Sequence, residues 1–319
     1  MANELVLVTG GAGFIGSHLA RRLLRDGYRV RVLDDLKTGK RENLEPVYSQ
    51  IDFVHGSVAD AGDARRAVQD VDCIFHQAAI PSVPRSVADP IGSHHANVTG
   101  TLTLLDAARH AKVRRVVYAA SSSAYGNTPT LPKVETMPTD PLSPYAVAKL
   151  AGENYCKAFT RVYGLETVCL RYFNVFGPRQ DPNSEYAAVI PKFVLALLED
   201  RPITIQGDGE QSRDFTFIDN TVEGNLKAMT ARDASGETCN LACGERFTLN
   251  EMVQMLAEIT GVTPQIQYLE GRTGDVKHSL ADIQKARRLL NYEPIVSFRD
   301  GLQQTVEYFR ALRAGTNVA

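Results

Sequence analysis

Short apolar runs alternate with amphipathic stretches through the first half of the chain. The apolar runs fall at 4–9, 29–34, 51–54, 73–76, 115–120 and 167–172, each short enough to be a strand. Between them, apolar residues at helical spacing predict helices over 15–25, 60–69, 97–111 and 144–162. Strand and helix in regular alternation predict a parallel sheet wrapped by helices on both faces, an α/β fold of the doubly wound kind. Such sheets bind ligands beyond the carboxyl ends of their strands, where the strand order reverses.

The pattern loosens after about residue 174. Turn-rich segments at 177–184 and 207–211 bracket a predicted helix over 188–198 and a short strand over 203–206. Further helices are expected over 222–230, 249–260 and 283–290. This predicts a smaller mixed α/β lobe interleaved with the end of the sheet. The expected division is 1–173, plus about 216–242, for the sheet domain, with 174–215 and 243–319 forming the second lobe.

Composition narrows the classes of partner. Of 319 residues, 44% are hydrophobic and 23% charged, with a net charge of −2, so no basic surplus points to nucleic acid. An anionic ligand must then be held by a few local cations and backbone N–H groups. Five cysteines without Cys-x-x-Cys spacing read as reduced thiols of a cytoplasmic protein, not as a disulfide frame or metal site. The start of the chain runs into a strand without the features of a signal peptide, and no apolar run reaches the roughly 18 residues of a membrane span.

Two stretches carry chemistry. Gly10, Gly13 and Gly16 stand between the first strand and the first helix, enclosing Phe14 and Ile15. A glycine turn lets the backbone approach a pyrophosphate, whose charge meets the N–H groups of the helix start. Glycines also serve ordinary tight turns, so the triplet alone is weak. Asp34 at the end of the second strand completes the dinucleotide fingerprint. Its carboxylate can accept from both adenosine ribose hydroxyls and would repel a 2′-phosphate, which favours NAD over NADP. Lys37 and Arg41 lie close in sequence and bear on the same preference.

The second stretch runs from Ser143 to Lys149. Ser143 suits an N-cap and Pro144 the first helical position, which puts Tyr145 and Lys149 at i and i+4 on one helix face. A tyrosine near pKa 10 is a poor base at neutral pH. A neighbouring ammonium and an oxidised nicotinamide would stabilise its phenolate and let it take a hydroxyl proton. Surface Tyr/Lys pairs are common on helices. Here, however, the serine run Ser121, Ser122, Ser123 ends the fifth apolar strand, where a hydroxyl can bridge substrate oxygen and phenol.

These motifs, together with His76-Gln77-Ala78-Ala79, the segment 97–101 and Arg171-Tyr172-Phe173-Asn174-Val175-Phe176-Gly177-Pro178-Arg179, resemble the extended short-chain dehydrogenase/reductases across essentially the whole chain. Within them the likeness is to the nucleotide-sugar 4-epimerases, which implies a Rossmann-like fold, bound NAD, a UDP-sugar substrate and a homodimer packed through helices 97–111 and 144–162. The resemblance implies that Tyr145, Lys149 and Ser121 are catalytic. It implies cofactor contacts at Ser57, Val58, Gln77, Ala78, Ala79, Asn97 and Tyr172 besides the glycine loop and Asp34. Ser57 stands where the family commonly has an aspartate for the adenine amino group. Ser122 and Ser123 stand where related dehydratases carry an Asp-Glu pair, and hydroxyls replace that acid and base poorly. Inversion is therefore favoured over dehydration.

For the substrate, the resemblance implies a sugar contact at Val83, diphosphate contacts at Asn174, Arg213 and Arg272, and nucleotide packing at Ala188 and Val189. It further implies a uracil pocket at Ile205 and Gln206, a ribose contact at Asp275, and a sugar-pocket wall at Ser279. A small residue at Ser279 leaves room for a 2-acetamido group. The expected substrates are thus UDP-GlcNAc/UDP-GalNAc and UDP-Glc/UDP-Gal, with inversion at C4 through a transient 4-keto sugar. UDP-glucuronate epimerisation, a sugar-nucleotide reductase and a non-catalytic NAD-binding protein stand as alternatives.

Overall fold

The computed structural model describes residues 4–182, 189–270 and 277–315. Six strands follow the apolar runs: β1 (Leu5–Thr9), β2 (Arg29–Asp34), β3 (Ile51–His55), β4 (Cys73–His76), β5 (Arg115–Ser121) and β6 (Glu166–Tyr172). With the strand Glu237–Leu241 at the far edge they form one sheet, in the order Glu237–Leu241, β6, β5, β4, β1, β2, β3. Every pairing is parallel. The order reverses beside β1, which lies between β2 and β4. A crevice for ligand belongs there, outside the carboxyl ends.

Successive side chains of a strand point to opposite faces, and the two faces carry separate cores. Val6, Val8, Val32, Phe75, Val117 and Leu170 join one cluster with Leu19 and Leu23 of the helix Phe14–Arg25 and Val222 of the helix Ile218–Thr230. Leu5, Leu7, Leu33, Ile74, Val116 and Tyr118 join the other, under the helices Ala61–Ala67, Gly100–His110 and Pro144–Tyr163. Burial on both faces explains why these strands read as apolar runs and not as alternating ones. Each fully buried Leu or Val contributes about 1.5–3 kcal/mol.

The rest of the chain adds three two-stranded pairs. Val175–Phe176 lies beside Thr216–Phe217, Ile203–Gln206 beside Ile266–Leu269, and Ser212–Arg213 beside Phe247–Thr248. Helices Val189–Leu198, Leu249–Thr260, Gln284–Leu290 and Phe298–Arg313 surround them. Phe176, Phe217 and Phe298 of this part belong to the same core cluster as the sheet, so the two parts share one interior.

Several elements differ from the sequence pattern, among them three that bear on the site and the core. The edge strand Glu237–Leu241 and the helix Phe298–Arg313 were not separately expected. The latter has its own signal, an N-cap at Ser297 and buried Phe298, Leu302, Thr305, Val306 and Phe309 on one face. The helix expected over 97–111 is interrupted, because His95–Thr99 forms a π turn before Gly100–His110.

Candidate active site

The glycine loop leaves β1 at Thr9 and enters the helix Phe14–Arg25. Gly10 has φ +67°, and a Cβ on it would lie 2.7 Å from the backbone nitrogen of Ala78. A Cβ on Gly16 would lie 2.2 Å from the Gly10 carbonyl oxygen. Only glycine allows the loop, the helix and the end of β4 to close up this far. At the helix start, the Gly13 N-cap offers no side-chain acceptor, and no acidic residue stands in the first turn. Those N–H groups remain available to an anion, with the helix dipole in favour.

Asp34 is 7% exposed at the end of β2. Its carboxylate accepts from the Ala12 and Leu36 N–H groups, each at 2.9 Å. Burial raises its pKa and the two N–H bonds pull it back. Each oxygen keeps a lone pair for a further donor. Ser57 sits opposite, its Oγ accepting from Ala59 and its own N–H donated to Asp63 at 2.9 Å.

Behind the loop, His76 is buried with Nδ1 2.8 Å from Thr9 Oγ1 and Nε2 3.0 Å from Thr101 Oγ1. Thr101 spends its hydroxyl proton on the Asn97 carbonyl at 2.6 Å, so His76 Nε2 carries the hydrogen and donates. Burial, with Lys149 nearby, pushes the imidazole pKa down to about 3, so the ring is neutral. Asn97, placed by the π turn, accepts from Ile80 N–H at 2.9 Å and donates to Ile80 O at 3.2 Å. It clamps the segment after β4 from behind and does not line the cleft.

The helix Pro144–Tyr163 starts as its sequence dictates: Ser143 Oγ accepts from Ala146 N–H at 3.2 Å, and Gly164 ends it at φ +71°. Gly152 lets it lie close on β5, since a Cβ there would be 2.2 Å from Tyr118 Oη. That closeness places Lys149, 4% exposed, with Nζ donating to Ala119 O at 2.8 Å and 5.1 Å from the centre of the Tyr118 ring. Among the described residues no carboxylate pairs with the ammonium, and burial lowers its pKa to about 8. Tyr145 is half-buried on the same face. Burial raises the pKa of its phenol, and a hydrogen bond with the Ser121 hydroxyl lowers it. Ser121 Oγ also lies 2.8 Å from Ser123 Oγ. The protein alone therefore does not make Tyr145 acidic, and its ammonium neighbour is itself only weakly held. A bound cation such as an oxidised nicotinamide would lower the phenol's pKa further.

These groups face one cavity of about 1460 Å³. Single-ligand pockets measure about 300–1,000 Å³, so this one has room for two ligands end to end. It is lined by Gly10, Gly13, Phe14, Ile15, Gly16 and Asp34, by Ser57, Val58, Gln77, Ala78 and Ala79, and by Tyr145, Lys149 and Tyr172. Val83, Ser121, Ser122, Ser123, Asn174, Arg213 and Ser279 line its other end. Gln77 and Tyr172 are joined to each other and to Asn225, Gln77 Nε2 donating to Tyr172 Oη at 2.9 Å.

At the far end, Asp214 organises the wall. It is fully buried and accepts from the N–H groups of Cys243, Gly244 and Ala281, while its carbonyl takes Asn174 Nδ2 at 3.0 Å. Arg213 beside it donates to the Ser212 and Lys277 carbonyls, both at 3.0 Å, and the Ser279 N–H returns to Ser212 O. Three expected contacts lie elsewhere. Ile205 is 1% exposed and packs into the core. Gln206 uses its carbonyl to hold Gln211 Nε2 at 2.6 Å, and Val189 packs on the core; none of the three lines the cavity. Ala188, Arg272 and Asp275 lie outside the described residues.

The cavity also takes in residues that no motif marked: Lys40 and Asn43 after β2, and Tyr308, Phe309 and Leu312 of the last helix; Arg179, the end of the motif that starts at Arg171, lines it as well. Lys133 lines it too, only 3% exposed, with Nζ bound to the Thr128 hydroxyl at 3.0 Å and to the Thr128 carbonyl.

Residues 6–242 match the family described as NAD dependent epimerase/dehydratase. The chain belongs to this family. Its glycine loop, Asp34, Tyr145 and Lys149 all fall within the matched segment. A UDP-glucose 4-epimerase of Mycolicibacterium smegmatis is 40% identical over 308 residues, covering 95% of this chain and 98% of the relative. The UDP-N-acetylglucosamine 4-epimerase of Methanobrevibacter ruminantium, solved with UDP-N-acetylmuramic acid, superimposes with a TM-score of 0.93 at 39% identity, covering 98% of this chain and all of the other. The UDP-glucuronic acid 4-epimerase of Bacillus cereus, solved with UDP-glucuronic acid and NAD, gives a TM-score of 0.88 at 36% identity over 97% of this chain and 99% of the other. Among the described residues no helix is long and apolar enough to cross a membrane.

Proposed function

We propose that this chain is an NAD-dependent UDP-sugar 4-epimerase acting on UDP-GlcNAc/UDP-GalNAc and UDP-Glc/UDP-Gal. The observation that carries this reading is the meeting of Tyr145, Lys149 and Ser121 with the glycine loop and Asp34 around one cavity.

The residues present fit the cofactor. The N–H groups at the start of the helix Phe14–Arg25 would hold its pyrophosphate, Asp34 the adenosine ribose, and Lys149 the nicotinamide ribose. NAD, when bound, would supply a reversible hydride acceptor for C4. Tyr145 Oη takes the C4 hydroxyl proton and later returns it, so the sugar passes through a 4-keto form with no net gain or loss of electrons. Ser121 polarises the developing carbonyl and relays the proton. Lys149, with a pKa near 8, offers a cation beside the phenolate when it forms. Arg213 and Asn174 would hold the diphosphate while the sugar turns, so binding energy remote from C4 keeps the keto sugar in place.

The small Ser279 supports the N-acetyl substrates, since its side chain leaves the 2-position uncrowded. The same proposal includes a cofactor domain of 1–173 plus about 216–242, with a sugar-nucleotide lobe of 174–215 and 243–319. It includes a cytoplasmic homodimer packed through the segments 97–111 and 144–162 of each copy; in the second of these Val147 and Val162 are exposed at 52% and 70%. Incubation with UDP-Glc, UDP-Gal, UDP-GlcNAc, UDP-GalNAc and UDP-glucuronate, followed by separation of epimers, tests the reading. Interconversion of the first four is expected; turnover of the glucuronate alone would overturn the substrate assignment. Ser279→Tyr should then cut kcat/KM for UDP-GlcNAc by about 10–200-fold relative to UDP-Glc.

A further inference from the structure

A second cavity, of about 510 Å³, lies outside the cofactor and sugar cleft. It is a groove between the helix Phe14–Arg25 and the helix Phe298–Arg313, with Phe217, Val222 and Ile295 among its apolar walls. Arg179 and Tyr308 line both cavities and so form the partition between them. The charged residues of the groove are Arg21, Arg22, Arg25, Arg179, Asp219 and Glu307, four cations against two carboxylates.

Arginines on a surface helix are ordinary when they reach solvent or an acid. Arg22 does so, pairing with Asp26 at 2.9 Å and Glu223 at 3.3 Å. Arg21 and Arg179 are half-buried and, among the described residues, reach no acid: neither has a carboxylate at ion-pair distance. Arg21 donates Nη2 to the Asn43 carbonyl at 3.1 Å, yet its Nε is buried without an acceptor. Arg179 has φ +66° and, among the described residues, donates to the Ser17 hydroxyl at 3.3 Å. Leaving a guanidinium N–H buried and unmet is unfavourable, and two like charges side by side add to that. The local potential is visible in His18, which lies beside both arginines. Burial and the two cations hold its pKa near 3, and its Nε2 goes to the Pro178 carbonyl at 2.9 Å. Burial and Arg21 also bring Arg179 down to about 10.

We propose that this groove is a second anion site that binds a phosphoryl group, with Arg21 and Arg179 as its ligands. The forked guanidinium matches phosphate oxygens, and the missing acceptor of Arg21 is what such an oxygen supplies. The volume and the apolar walls with Tyr308 allow the phosphoryl group to be that of a nucleotide or free phosphate. The site is independent of which sugar the main cleft takes.

The test uses the full chain loaded with NAD and one equivalent of UDP, so that the main cleft is occupied. Inorganic phosphate and AMP are titrated calorimetrically against sodium chloride of equal ionic strength. One saturable phosphate site is expected in the wild type. Arg21→Gln should weaken it about tenfold or more, the loss of one charged hydrogen-bond donor. Arg22→Gln, whose partners are Asp26 and Glu223, should change it less than about twofold, whereas Glu307→Gln, an exposed change, should tighten it by about the same small factor. AMP binding tighter than phosphate assigns a nucleotide, and equal binding assigns the free anion. Heats no different from chloride, or an Arg21→Gln protein that binds as well as the wild type, would overturn the proposal.

Discussion

Lys149 and Glu153 stand one turn apart on the helix Pro144–Tyr163, and each carries a charge into the interior, but their surroundings treat that charge in opposite ways. Glu153, 1% exposed, receives two bonds from Arg171, Nε at 2.9 Å and Nη2 at 3.0 Å, and a third from Lys157 at 2.7 Å. Burial alone would raise its pKa; the hydrogen bonds and charge of Arg171, with Lys157, carry it below the ordinary value. Arg171 in turn stacks over Tyr125 at 4.6 Å, whose hydroxyl donates to Asn240 at 2.7 Å. Lys149 has a carbonyl and an aromatic face, and its pKa falls to about 8. A buried charge that is fully paired acts as a rivet, fastening the helix to β6. One left half-paired stores a free-energy cost that a ligand or a passing negative charge can relieve. The cleft floor is built on the second kind.

Replacements on the helix test this contrast, beginning with the largest effect. Tyr145→Phe should lower turnover about 10³-fold or more while NAD content and folding stay intact, as epimer separation and the absorbance of released cofactor would register. Unchanged turnover would remove the phenol from the mechanism and with it the functional side of the comparison. Glu153→Gln should do the reverse. It leaves the Arg171 guanidinium buried without its counter-charge and should cost about 3–5 kcal/mol of stability in urea, with turnover per folded molecule altered only a few-fold.

Lys149 offers a pH experiment with a definite sign. Its folded pKa of about 8 lies below the unfolded 10.5, so above pH 8 the unfolded chain binds more protons than the native one. The cost of burying the ammonium is thus fully present below pH 8 and is relieved as pH rises from 8 to 10.5. Relative to Lys149→Met, the wild type should gain stability across that window, on the order of 3 kcal/mol when complete. A difference that stays flat in urea titrations between pH 7.5 and 9.5 would mean that the lysine is better paired than its contacts indicate. The smallest effect belongs to Lys157→Gln. This lysine is 30% exposed on the outer side of Glu153, and its loss should cost less than about 1 kcal/mol because Arg171 keeps the carboxylate satisfied.

Much of the site was legible because its parts are local. The glycine loop needs only a strand, three glycines and a helix start, and all of these are neighbours in sequence. The Tyr145/Lys149 pair needs only helical spacing, which Ser143 and Pro144 set. Asn97 was less legible, since a side chain's direction from a π turn cannot be read from spacing, and the turn points it at Ile80. Ile205 was no more legible, since its burial is set by the elements packed over its strand. Tyr308, Phe309 and Leu312 reach the cavity from the far end of the chain. The apolar stripe of their helix was available as a signal, but nothing in it says which cavity it borders.

The sequence by itself determined the strand–helix alternation, the dinucleotide turn with Asp34, and the helix face that holds phenol and ammonium, because each depends on residues within a turn or two of one another. Only the tertiary structure decided that Lys149 is left with a lone carbonyl while Glu153 finds Arg171, that His76 is neutral with its hydrogen on Nε2, and that Arg21 and Arg179 share a groove whose carboxylates, among the described residues, stay beyond ion-pair distance of both. Those outcomes are set by desolvation and by partners from other strands, and neither is written in the spacing of residues along a chain.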